Sequence, residues 1–156
     1  MEIFTLDYKC MFKHAHQLVK LIDEWPLIDW KEDNFLIELP GKWMSSFAMF
    51  ERGQIVGFCI ASEKVPGVFY VHLFFVSPGM RGKNIGWKMM EEVNRRSRVN
   101  DMHKVMLRCP VTLNKAIAFY ERNGFEVKQR VLDEISGPVA DYIMEKSLLQ
   151  FGGTDC

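Results

Sequence analysis

Eleven residues, Val76-Ser77-Pro78-Gly79-Met80-Arg81-Gly82-Lys83-Asn84-Ile85-Gly86, stand where a strand-like pattern hands over to a helical one. At such a junction the first N–H groups of the helix lack partners and the macrodipole turns its positive end outward, which makes an anion site. Small residues let a phosphate approach the backbone, and Arg81 and Lys83 add charge. The competing reading is a plain glycine-rich turn with two solvated cations. Two phosphate loops fail on spacing. A Walker A loop needs G-x-x-x-x-G-K-[ST], whereas Gly79 precedes Gly82-Lys83 by only three positions and Asn84 follows the lysine. Nor do Gly79, Gly82 and Gly86 form the G-x-G-x-x-G of a dinucleotide site. Just upstream, period-two alternation puts Tyr70, His72, Phe74 and Val76 on one strand face, and His72 titrates near neutrality. An imidazole merely packed or exposed on the strand is the alternative there.

These residues need elements to hold them. Glu2 to Leu6 alternates as a first strand, and Met11, Ala15, Leu18, Val19 and Ile22 recur at helical spacing until Pro26. An aromatic loop, Trp25 to Trp30, leads to a second helix over Lys31 to Leu39, which Pro40-Gly41 ends. Strands follow over Trp43 to Glu51, Gln54 to Lys64 and Val68 to Val76, an antiparallel meander turned by Arg52-Gly53 and Pro66-Gly67. Ile85, Met89, Met90 and Val93 then mark a helix of about four turns, and Val105 to Cys109 a strand that closes a parallel crossover. Asn114 to Arg122 reads as a fourth helix capped by Asn123-Gly124, with last strands over Phe125 to Leu132 and Tyr142 to Leu148 around Ser136-Gly137-Pro138. The expectation is an α+β fold with a mixed, mostly antiparallel sheet of seven strands and four helices.

At 156 residues the chain amounts to about one domain of typical size, read as residues 1–150 with a loose tail at 151–156. A composition 48% hydrophobic, with 12 Phe and 10 Met, fills a core without disulfides. Twenty basic residues balance 20 acidic ones, which argues against a nucleic-acid partner. No leader-like start and no apolar run of about 18 residues is present, so neither secretion nor a membrane span is expected. Cys10, Cys59, Cys109 and Cys156 lie far apart, which fits a reducing cytoplasm. His14 and His16, two apart, point to different sides of a helix and make a poor metal site with Cys10; no metal is expected. Arg95, Arg96 and Arg98 read as cations complementing a helix C-terminus.

Arg81-Gly82-Lys83-Asn84-Ile85-Gly86, following Val76-Ser77-Pro78, resembles the [RQ]-x-x-G-x-[GA] signature of the GNAT N-acetyltransferase superfamily. A second block, Asn114 to Phe125, is similar to that family's N-x-x-A-x-x-[FL]-Y-x-x-x-G-F region, with Ala118 one place from its usual position. Asn84 stands where the family usually has its first signature glycine, and asparagine tolerates a left-handed backbone better than most residues. The resemblance implies a sheet splayed between its fourth and fifth strands, with acetyl-CoA as co-substrate in the gap. Its pyrophosphate would lie on Arg81, Gly82, Lys83, Asn84, Ile85 and Gly86. The backbone of Phe74, Phe75 and Val76 would pair with the pantetheine arm, and one N–H would polarise the thioester.

By the same resemblance Tyr120 would protonate the leaving thiolate and His72 would serve as general base or water relay. Asn114 would bond the CoA arm, although a helix N-cap explains it equally. Trp87 falls on the polar helix face and would pack on the nucleotide end of the cofactor or on another subunit, making a homodimer. The reaction implied is direct transfer to a primary amine of a small molecule. The alternatives are a non-catalytic CoA-binding module and an acetyltransferase for protein N-termini or lysines. The loops that flank the acceptor in this fold carry Asp23, Glu24, Asp29, Glu32 and Asp33 against Lys31, and Asp133, Glu134 and Asp141. Such a cleft would favour a cationic acceptor held with Trp25, Asp29, Trp30 and Tyr70.

Overall fold

The computed structural model describes residues 1–25, 27–132 and 139–148. Strand β1 (Glu2–Thr5) leads to helix α1 (Tyr8–Ile22), whose Asp7 cap accepts from the Cys10 amide at 2.9 Å. Met11, Ala15, Leu18 and Ile22 form its buried stripe. Strands β2 (Phe47–Glu51) and β3 (Gln54–Ser62) are joined by Arg52 and Gly53, at φ 54° and 77°, the two left-handed residues that a tight hairpin of matching twist requires. Strand β4 (Val68–Val76) completes the meander, and α4 (Ile85–Val99) crosses to β5 (Lys104–Pro110), parallel to β4. Helix α5 (Asn114–Arg122) precedes β6 (Glu126–Val131) and β7 (Asp141–Ser147). One seven-stranded sheet results, in the order β1-β2-β3-β4-β5-β7-β6. One core lies between the sheet and α4/α5, around Phe69, Met89 and Leu107; the other lies under α1 and the short helix α2 (Glu32–Leu36), around Leu18, Phe58 and Phe75.

Five α-helices are described rather than four. The expected helix over Lys31–Leu39 is shorter, α2 (Glu32–Leu36), and the expected strand from Trp43 begins instead with a turn of helix, α3 (Lys42–Ser45). The cause is Lys42. Its ammonium is fully buried and donates to the carbonyls of Phe35 and Ile37 at 2.7 Å and of Asn34 at 3.3 Å, closing the open end of α2. Gly41, at φ 69°, turns the chain so that this reach is possible.

A second departure lies in β4. Ile60 pairs with Leu73 but Ala61 pairs with Val71, so His72 is an extra residue, a β-bulge. The bulge reverses the alternation. Phe69 and Val71 before it, and Phe74 and Val76 after it, face the α4/α5 core, while Leu73 and Phe75 face the α1/α2 core. The shared face expected for Tyr70, His72, Phe74 and Val76 is therefore broken at His72. Asn114 is also not the cap of α5: Leu113 holds that position, and Asn114 is the first helical residue, exposed.

Candidate active site

Pairing between β4 and β5 runs only from Val68 with Lys104 to Val71 with Leu107. Beyond that point β4 follows β3 as far as Val76, while β5 follows β7 as far as Pro110, and the sheet splays. The bulged His72 sits where the strands part. The Ser77 amide bonds the Val56 carbonyl at 2.9 Å, so alternation in the antiparallel ladder turns the N–H and C=O groups of Phe74 and Val76 away from β3, into the gap. Those of Phe75 turn toward β3. The gap thus offers a strand edge whose N–H groups and Phe74 carbonyl have no strand partner, the Val76 carbonyl being taken by Arg81.

At one end of the gap lies the loop before α4. The Met80 and Arg81 amides bond Ser77 and Pro78, and the Lys88 amide bonds Asn84; between them the amides of Gly82, Lys83, Asn84, Ile85, Gly86 and Trp87 have no acceptor among the described residues. Six successive free N–H groups at a helix N-terminus form a nest for a multiply charged anion. Asn84 is left-handed at φ 63°, ψ 17°, the conformation its position demands. A Cβ on Gly82 would meet nothing within 4 Å, so that side is open to a ligand. Gly86 matters for packing instead, since a Cβ there would stand 3.2 Å from the Phe119 ring; its absence lets α5 pack against the start of α4. Ile85 is buried in the core, Lys83 is exposed, and Trp87 is exposed with its ring edge-on to Phe119 at 6.3 Å. Arg81, an exposed residue, donates from Nε to the Val76 carbonyl at 3.2 Å and lays its guanidinium 4.3 Å over Trp25.

Tyr120 enters from α5, ringed by Phe119, Phe125 and Phe74 at 5.5, 5.6 and 6.1 Å. Burial, with Cys109 and Cys59 near, pushes its phenol well above the usual range, so it stays protonated at neutral pH. Its hydroxyl has no hydrogen-bond partner among the described residues.

On the opposite face of the sheet, His72 Nε2 lies 2.7 Å from the Ser62 hydroxyl, with its ring 4.9 Å from that of Tyr70. Burial, with Lys64 and Lys42 near, pushes His72 down to about 4, so the imidazole is neutral. Burial raises the Tyr70 phenol, whose ring also carries the Lys64 ammonium at 4.3 Å. The acidic loops are more balanced than their composition implies. Asp29 pairs with Lys31 at 3.5 Å, Glu32 approaches His16 at 3.6 Å, and Asp141 pairs with Arg108 at 3.1 Å. Asp133, Glu134 and the tail at 151–156 lie outside the described residues. Trp30 packs on Phe35 at 5.0 Å, and Arg81 already covers one face of Trp25.

Three side chains play structural roles that the sequence pattern does not announce. Ser62 and Lys42 carry no motif; only their buried positions reveal them. Arg96 is not a solvated helix-end cation: it bonds Glu92 at 2.6 Å, Met44 O and Thr5 Oγ1 at 3.0 Å, and ties α4 to α3 and β1. A concavity of about 400 Å³ with Ile3, Met49, Glu91 and Arg95 in its walls shares no residue with the β4–β5 gap. Among the described residues no cluster of His, Cys, Asp and Glu is placed to hold a metal.

The chain thus brings together an open strand edge, a run of amides without acceptors at a helix N-terminus, and a buried tyrosine. Residues 3–125 match the acetyltransferase (GNAT) family, and the chain belongs to it. No curated relative matches by sequence. Among solved structures, Ard1 from Thermoplasma volcanium is 20% identical with a TM-score of 0.81, over 96% of this chain and 98% of that one. The ribosomal-protein-S18-alanine N-acetyltransferase from Escherichia coli is 17% identical, with a TM-score of 0.79 over 96% and 94%. Naa50 of Arabidopsis thaliana, in complex with the bisubstrate analogue CoA-Ac-MVNAL, is 20% identical, with a TM-score of 0.71 over 87% and 93%. At these identities the likeness is one of fold.

Proposed function

We propose that this acetyltransferase moves the acetyl group of acetyl-CoA by direct attack of a primary amine in a ternary complex, and that the acceptor is an α-amino group, on a small molecule or a peptide end. The observation that carries the reaction is the coincidence of the free β4 edge with the six unpaired amides. The residues present fit the cofactor: Gly82 to Trp87 and Arg81 hold the pyrophosphate, and the edge of Phe74 and Val76 takes the pantetheine arm as an added strand. Acetyl-CoA supplies the acetyl thioester when bound. A gap-facing N–H of Phe74 or Val76 polarises the thioester carbonyl, and Tyr120 gives its proton to the sulfur as the C–S bond breaks and recovers one, through water, from the ammonium formed on the acceptor nitrogen.

The acceptor class follows from the bases available. His72 is a weak base with its Nε2 engaged, and Asp141 is tied to Arg108. An amine therefore reacts best if it is already neutral. At pH 7 freeing a lysine-like amine of pKa about 10.4 costs roughly 4 to 5 kcal/mol, against about 1 kcal/mol for an α-amino group near 7.8. The paired acids and the covered Trp25 leave a polyamine less to hold. A cytoplasmic setting suits both substrates and the free thiols of Cys10, Cys59 and Cys109.

Release of free thiol from acetyl-CoA, measured against α-amino amides, short peptides, a lysine side-chain amine and spermidine, tests this reading. The α-amines are expected to react fastest at neutral pH. Faster reaction of spermidine or the lysine amine overturns the acceptor class, and CoA binding without thiol release on any amine makes the protein a binding module.

A further inference from the structure

The Ser62–His72 contact determines which nitrogen of His72 carries the proton. Ser62 is fully buried, and its Oγ already accepts the Lys64 amide at 3.3 Å. Its single hydroxyl hydrogen has one acceptor within reach among the described residues, His72 Nε2 at 2.7 Å. A buried hydroxyl left without an acceptor would lose a hydrogen bond that water otherwise supplies. Nε2 is therefore the bare nitrogen, and the neutral ring carries its proton on Nδ1. Nδ1 has no partner among the described residues, and no sealed side-chain nitrogen or oxygen lacks one, so this N–H opens to solvent. The bulge places it where β4 and β5 part, beside Tyr70.

We propose that Ser62 locks His72 in the Nδ1–H tautomer, and that the locked imidazole is a hydrogen-bond donor selecting acceptors with an oxygen next to the reacting amine, not the general base. A base needs a lone pair toward the amine. Here one lone pair is taken by Ser62 and the other nitrogen is protonated. The charged and titratable groups around the ring, Lys64 and Lys42 by field and Tyr70 by ring contact, do not change this: two cations oppose protonation and the phenol is neutral. The selection of an oxygen-bearing acceptor rests on the α-amine reading above; the tautomer does not.

Long-range proton–nitrogen correlation of the imidazoles tests the tautomer directly, with the His72 signals identified by their loss in His72→Gln. At pH 7 the Nδ1–H neutral form is expected, and Ser62→Ala should release it toward the other tautomer. A wild-type ring that is Nε2–H or charged overturns the proposal, and so does a tautomer that ignores Ser62→Ala. The wild-type spectrum alone decides should Ser62→Ala not fold. In kinetics, Ser62→Ala should raise KM about tenfold for glycinamide. It should leave KM for ethylamine and for acetyl-CoA unchanged. His72→Gln, which keeps a donor, should retain most of the preference for glycinamide. Equal loss on both amines overturns the selective role while leaving the tautomer result standing, and absence of transfer to any amine is instead the failure of the proposed function.

Discussion

The guanidinium of Arg81 lies 4.3 Å over the ring of Trp25, joining the loop that precedes α4 to the loop that follows α1. Trp25 in turn packs edge-on against Phe75 at 6.2 Å, and Arg81 Nε holds the Val76 carbonyl. One arginine thus touches the anion nest, the end of the open strand and the wall expected to flank the acceptor.

If the Trp25 face orients Arg81 for the pyrophosphate, Trp25→Ala should weaken acetyl-CoA binding by about 0.5 to 1 kcal/mol, a two- to fivefold loss. Arg81→Ala should cost more, about 1.5 to 3 kcal/mol, because a charge-assisted bond goes with it. The double variant should cost less than the sum, since the platform matters only through the arginine. Calorimetry of the four proteins checks this, and strict additivity would separate the two residues.

Gly86 and Phe119 make a packing pair, because a Cβ at Gly86 would stand 3.2 Å from two ring carbons. Gly86→Val should therefore lower stability by about 1 to 3 kcal/mol through overpacking. Combining it with Phe119→Leu should cost less than the two changes added. Asn84→Gly should alter stability by no more than about 1 kcal/mol, since the left-handed turn at φ 63° is already present. Urea unfolding measures all of these.

Tyr120→Phe should reduce kcat by about 10² to 10⁴ with little change in acetyl-CoA affinity, the pattern of a lost proton transfer. Burial holds the phenol above its ordinary value of about 10, so the rate should show no loss from tyrosine ionisation up to that pH. A fully active phenylalanine variant would assign the ring to packing alone.

The parts of this fold that were legible share a cause. Val68–Val76 and Asn114–Arg122 appear with the bounds that alternation and spacing imply, because Pro or Gly signals close each of them. The run of amides over 82–87 that lack an acceptor follows from the strand-to-helix junction, because backbone chemistry, not side-chain identity, leaves them unpaired. What escaped depends on distant partners. Period two cannot reveal the bulge at His72, which appears only when β3 is laid beside β4. Trp43 to Phe47 looks apolar enough for a strand, yet Lys42 turns back to α2 and imposes a helical turn on its neighbours. Asn114 reads as a cap by residue type, while the chain places Leu113 there.

Lys42 also bears on stability through pH. Burial pulls its ammonium down to about 8 in the folded protein, against 10.5 for an ordinary lysine, with Glu38 opposing. Between those values the unfolded chain holds the proton that the folded chain has released, so stability should rise with pH across that window, by at most about 3 kcal/mol. Below pH 8 both states are charged and this slope vanishes. Deprotonation leaves two N–H groups, enough for the bonds to Phe35 and Ile37 at 2.7 Å, and gives up the longer one to Asn34 at 3.3 Å. Lys42→Met should orphan all three carbonyls and lower stability at pH 7 by about 1 to 3 kcal/mol or more. It should also remove the share of the rise that Lys42 contributes, leaving that of Lys146, whose ammonium burial likewise pulls down to about 8. Denaturant unfolding of both proteins at several pH values from 7 to 10 gives the difference. A difference that does not change with pH would show that Lys42 keeps an ordinary affinity for its proton inside the fold.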